Sequence, residues 1–148
     1  MTDLLAMTAE LVDFPSVSFA EGAFADWVES ELRAVPHLSV DRVGDNVVAR
    51  TTLGRRTRLV LGGHLDTVPV NDNATARIEG DTLHGLGAAD MKGGLAVMLE
   101  LARNVPDPVI DVTYVFYARE EVSLEHNGLR ELFASVPELL HADAAILG

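Results

Sequence analysis

The chain has 148 residues, 48% of them hydrophobic, which fits one globular domain with a real core. With 23 acidic residues against 11 basic ones it carries −12, a field that repels phosphates and argues against nucleic acid and anionic membrane as partners. It has no cysteine, which excludes disulfides, thiolate ligands and a cysteine nucleophile, so any metal must be held by His, Asp and Glu.

The first stretch, MTDLLAMTAELVDF, has an acid at position 3 and no basic run, so it does not read as a secretory signal. No apolar run approaches the ~20 residues that cross a bilayer, and the cytoplasm is the expected compartment. Leu4, Leu5, Leu11 and Val12 recur at helical spacing, with Thr2 or Asp3 as the cap and Pro15 as the stop. A second helix is expected over 21–35, with Phe24, Trp27, Val28 and Leu32 on one face and Pro36 closing it. LSVDRV and NVVART read as two short strands around the turn pair Gly44-Asp45. TRLVLGGH reads as a central strand. VPVNDNATARIEGDTLHGLG is a polar loop with a small hairpin at ARIEGDTLHG. MKGGLAVMLELARNV is a helix burying Leu95, Met98, Leu99 and Ala102; VIDVTYVFYA is a strand, NGLRELFASV a helix and ADAAILG a last strand. From residue 57 this alternation predicts an α/β fold with parallel strands in its core and right-handed crossovers.

In such sheets, sites gather beyond the carboxyl ends of the strands. His64 and Asp66 follow one strand, Glu120 and Glu121 the next, and Asp90 stands at the start of the intervening helix. Singly these are a loop histidine, a solvated strand end and a helix N-cap. Together at one sheet edge they fit a metal centre. His64 offers an imidazole nitrogen, and Asp66, two residues on, can hold the other. Asp90 can coordinate one ion or bridge two. Nitrogen and carboxylate donors without sulfur suit zinc, cobalt or manganese. Neighbouring strand residues point to opposite faces, so one glutamate can hold metal while the other takes a proton from water; spacing does not say which. GLGAAD half resembles a dinucleotide loop, but Asp90 would repel a pyrophosphate there. Its glycines instead let the backbone bend tightly around Asp90.

GGHLDTVPVNDN, HGLGAADMKGG and YVFYAREEVSLEHNGL resemble the di-zinc aminoacylase and carboxypeptidase family of metallopeptidases, over essentially the whole chain. VPVNDN, and EEV followed by NGL, are most similar to the members found in actinobacteria that hydrolyse N-succinyl-L,L-diaminopimelate to succinate and L,L-diaminopimelate, a step of lysine and cell-wall precursor synthesis. The resemblance implies a three-layer α/β sandwich with a mostly parallel sheet, two zinc ions (cobalt as an alternative) and a small acylated amino acid as substrate. It implies His64 as a ligand of one zinc, Asp66 as its supporting acid, Asp90 as the bridging aspartate, Glu120 as general base and Glu121 as a ligand of the second zinc. Leu86 stands where the family often has arginine.

The resemblance covers well under half of a family member. Residues 1–148 are therefore expected to be a partial catalytic domain, the amino-terminal part of the metallohydrolase. A further carboxylate ligand, a downstream histidine, and the inserted lid domain that makes the homodimer all fall outside it. Such a fragment is expected to bind zinc weakly, turn over little substrate, and leave a sheet edge uncovered. The competing expectations are a related acetylornithine deacetylase, aminoacylase or carboxypeptidase, or a non-enzymatic α/β module.

Overall fold

The computed structural model describes residues 3–148. Helix α1 (Leu4–Val12) is capped by Asp3, whose Oδ1 accepts from the amides of Leu5 at 3.0 Å and Ala6 at 3.1 Å. Thr2, the other expected cap, lies outside the described residues. The buried face of α1 is Met7, Thr8, Leu11 and Val12; Leu4, expected inside, is exposed, because the helix meets the rest of the fold one turn later. Helix α2 (Gly22–Arg33) buries Phe24, Ala25, Val28 and Leu32, with Trp27 half-buried beside them.

Strands β1 (Ser39–Val43) and β2 (Asn46–Arg50) form the expected antiparallel hairpin across Gly44-Asp45. Strand β3 (Arg58–His64) follows, then the small hairpin of β4 (Arg77–Glu79) and β5 (Thr82–His84). A kinked turn, Ala88–Lys92, leads into α3 (Gly93–Asn104). Strand β6 (Asp111–Tyr117), α4 (Gly128–Ser135) and β7 (Ala144–Leu147) complete the chain.

The main sheet has the order β1-β2-β6-β3-β7. Strands β6, β3 and β7 run parallel, and β1 and β2 are antiparallel to their neighbours. Alternation along the strands splits the core in two. Val47, Ala49, Tyr114 and Phe116 face α1, α2 and α3. Val48, Val115 and Tyr117 face Leu132 of α4 and Leu139. The result is the expected three-layer sandwich. The chain moves from β3 to β6 on one side, then back past β3 to β7 on the other. That reversal opens a crevice at the carboxyl ends of β3 and β6. The expected uncovered edge is β7, all four of whose residues are exposed. No helix among the described residues is long and apolar enough to cross a membrane.

Candidate metal centre

His64 ends β3, and its ring is 2% exposed. Nδ1 lies 2.9 Å from the main-chain carbonyl of Asp66 and 3.5 Å from its Oδ1. The supporting contact is therefore the carbonyl of Asp66 first and its carboxylate second. Nε2 faces Asp90 Oδ1 at 2.9 Å. Burial works against a charge on this ring, but the acids on both sides outweigh it and raise His64 to about 9. An ion taken up at Nε2 replaces that proton.

Asp66 is buried and fully used. Oδ1 accepts from the Glu120 amide at 2.9 Å; Oδ2 accepts from the Glu121 amide at 3.1 Å and the Ser18 hydroxyl at 2.6 Å. Burial opposes its charge, yet hydrogen bonds from His64, Ser18 and the two amides hold it down at about 2. One carboxylate thus ties the end of β3 to the corner after β6.

That corner gives the adjacent glutamates different surroundings. Arg119 has φ 60, the left-handed region, which turns the chain sharply after Ala118. Both following amides then donate to Asp66, which leaves the Glu120 and Glu121 carboxylates free to reach His64. Glu120 is exposed and Glu121 half-buried. His64, Glu120 and Glu121 each offer a donor atom, all within 4.8 Å of one another. Burial, and then the charge of Asp90, raise the Glu121 carboxyl above its ordinary value. Carboxylates that repel one another around an imidazole nitrogen are a donor set a divalent cation relieves.

Asp90 is not the N-cap of α3. Lys92 holds that place, and Asp90 lies two residues earlier with φ −131 and ψ 94. The kink delivers its carboxylate to His64 instead of to the helix amides, and the side chain is 75% exposed. Gly87, at φ 73, makes the bend possible: a Cβ there would stand 2.7 Å from Thr67 Cγ2.

Two residues of the site had no signal in the sequence reading. Ser18 reaches Asp66 from 48 positions away, carried by a parallel bridge between Val17 and Thr67. Glu21 is completely buried behind the same region, and neither carboxylate oxygen has a hydrogen-bond partner. Burial raises its carboxyl, with the charges of Asp66 and Asp45 adding to the effect and Arg119 opposing it.

Residues 60–148 match the model of Peptidase family M20/M25/M40. Over 147 residues, 99% of this chain, the sequence is 49% identical to a Mycobacterium tuberculosis protein provisionally named succinyl-diaminopimelate desuccinylase DapE. It is 41% identical to the succinyl-diaminopimelate desuccinylase of Corynebacterium glutamicum, again over 99% of the chain. The chain spans 42% and 41% of the lengths of these two relatives. A tripeptidase from Staphylococcus aureus has TM-score 0.80 at 27% identity, with 97% of this chain and 42% of that one covered. An M20 metallo-carboxypeptidase from Sulfolobus solfataricus has TM-score 0.80 at 20% identity, covering 99% of this chain and 37% of that one, and shows a shared fold.

Proposed function

The chain belongs to Peptidase family M20/M25/M40, and from that premise we propose that it carries the metal-holding part of a succinyl-diaminopimelate desuccinylase. The reaction is hydrolysis of N-succinyl-L,L-diaminopimelate to succinate and L,L-diaminopimelate. The observation that carries this is the meeting of His64, Asp90, Glu120 and Glu121 at one sheet edge, fixed from beneath by buried Asp66. The names of the 49% and 41% identical relatives supply the substrate.

Each residue has a part that its surroundings support. His64 holds an ion through Nε2, because Nδ1 is engaged by the Asp66 carbonyl. Asp90, exposed and beside Nε2, would help hold the ions. Glu121, half-buried and under the field of Asp90, is the ligand of the second. Glu120, exposed, is the general base: it accepts a proton from the attacking water and returns it to the departing amine nitrogen. Zinc or cobalt bound here would supply Lewis acidity to the amide carbonyl and to water. Asp66 stays ionised and keeps the imidazole and both glutamates in place.

Catalytic zinc normally has three protein ligands. These assignments give each ion fewer, so further ligands come from sequence other than these 148 residues. A small acylated amino acid is the substrate class, and a homodimer is the expected assembly of the whole protein.

The test is succinate release by the full-length protein loaded with zinc. Glu120→Gln should abolish turnover and leave the zinc content near that of the parent. Loss of zinc in Glu120→Gln, with zinc retained in Glu121→Gln, would exchange the two roles. Cleavage of N-acetylornithine in place of the succinyl substrate would move the function to deacetylation.

A further inference from the structure

The corner that aims the two glutamates is strained, and something must hold it. A left-handed conformation is unfavourable for a residue with a Cβ, and Arg119 adopts one at φ 60. The restraint comes from behind the site. The Ala118 amide donates to Asn46 Oδ1 at 2.9 Å, and the Ala118 carbonyl accepts from the Gly128 amide at 2.8 Å. The Arg119 side chain donates through Nε to the His126 carbonyl at 2.8 Å, and through Nη2 to Glu131 Oε2 at 2.7 Å.

The same Glu131 oxygen accepts from Asn46 Nδ2 at 2.9 Å. It therefore joins β2, the corner and α4 at one point. Asn46 is completely buried; its amide nitrogen donates one hydrogen to the Val43 carbonyl at 2.8 Å and the other to Glu131. Gly128 lets the three elements approach: a Cβ there would lie 2.0 Å from Asn46 Oδ1. On the other side of Arg119 the Glu120 and Glu121 amides are held by Asp66. The strained residue is clamped both before and after its turn.

We propose that Glu131 is a positioning residue: through Arg119 and Asn46 it locks the 118–121 corner in the shape that brings the Glu120 and Glu121 carboxylates to His64. It touches no reacting atom. The inference rests on the reading of these two glutamates as base and ligand, and it gives α4 a second task beyond covering the sheet.

The test compares Glu131→Ala, Glu131→Gln and Arg119→Ala in the full-length protein. It reads hydrogen exchange of individual amides by NMR, and cobalt(II) affinity by titration. In Glu131→Ala the Glu120 and Glu121 amides should exchange at least tenfold faster, while Val115 in β6 is unchanged. Cobalt affinity should fall at least tenfold. Glu131→Gln keeps an acceptor oxygen and should stay within threefold of the parent on both readings. Arg119→Ala should reproduce Glu131→Ala at the two amides, and the double variant should be no worse than the worse single.

Unchanged protection at Glu120 and Glu121 in the alanine variants would overturn the proposal. So would an equal loss at Val115, since Glu131 would then only stabilise the fold. If Glu131→Ala does not fold, Arg119→Ala decides by the same two amides. A full-length parent that binds no cobalt, with the amides still responding as expected, would uphold the lock and remove the metal reading instead.

Discussion

Strands β6 and β7 lie on either side of β3 in one sheet, and both are apolar, yet their surroundings are opposite. All seven residues of β6 are buried, and all four of β7 are exposed. Strand β6 has β2 and β3 as neighbours and a helical layer on each face. Among the described residues strand β7 pairs with β3 alone, and it has an apolar hollow on each side. One, of about 240 Å³, includes Val60, Leu129 and Phe133; the other, of about 300 Å³, includes Leu61, Met98 and Ile146. Composition makes a strand; position in the sheet decides what its side chains are worth. The candidate centre is built from the ends of β3 and β6 and from the turn before α3, the covered side of the fold.

The sharpest way to break the comparison is Phe116→Ala. This ring is completely buried between sheet and helices, so the change should cost about 3–5 kcal/mol, read by urea unfolding. Next is the join between β3 and the corner. Asp66→Ala removes the acceptor of the Ser18 hydroxyl and both corner amides. It should cost on the order of 2–3 kcal/mol and eliminate cobalt binding, measured by unfolding and by titration.

A third variant, Glu21→Gln, tests the acid buried behind the corner through pH. Burial raises the Glu21 carboxyl above its ordinary value of 4.5. Below that value the group is protonated in both folded and unfolded chains, and nothing is lost. As the pH rises from the ordinary value towards the raised folded one, only the unfolded chain releases the proton freely, and folded stability declines. The parent should therefore lose stability relative to Glu21→Gln as the pH is raised above 4.5, seen in denaturation midpoints across a pH series. A parent whose midpoint keeps step with the variant would show that the acid ionises without penalty. The smallest effect belongs to β7. Ile146→Lys, at a side chain already 61% exposed, should change stability by no more than about 0.5 kcal/mol. It should still reduce self-association, visible in light scattering, because a charge blunts an open edge.

Much of this arrangement was legible in the sequence. The apolar runs of β3 and β6, the helical spacing of Leu95, Met98, Leu99 and Ala102, and the rule that sites follow parallel strands located the edge where His64, Asp66, Asp90, Glu120 and Glu121 meet. What escaped has a common cause: it depends on dihedrals or on distant partners, which side-chain periodicity does not record. Asp90 resembled a helix cap because an acid before a helix usually is one; a local kink moved the helix start past it. Arg119 gave no sign of a left-handed turn, since such turns favour glycine or asparagine. Ser18 became part of the site only when residues 16–18 were laid beside Thr67. Leu4 matched the apolar spacing of α1 but falls where the helix has nothing to pack against.

The place of β6 between β2 and β3 has a further consequence, for the chain as it leaves the ribosome. Strands β2 and β3 are made first, yet neither pairs with the other in the finished sheet; each waits for β6. The long loop, the small hairpin and all of α3 must be synthesised in between, which at cellular rates takes roughly 3–10 s. During that interval β3 stands with no native partner, and β2, paired with β1, keeps one edge open. A nascent chain stalled before Tyr117 should thus be held by chaperones, and one stalled well beyond it released.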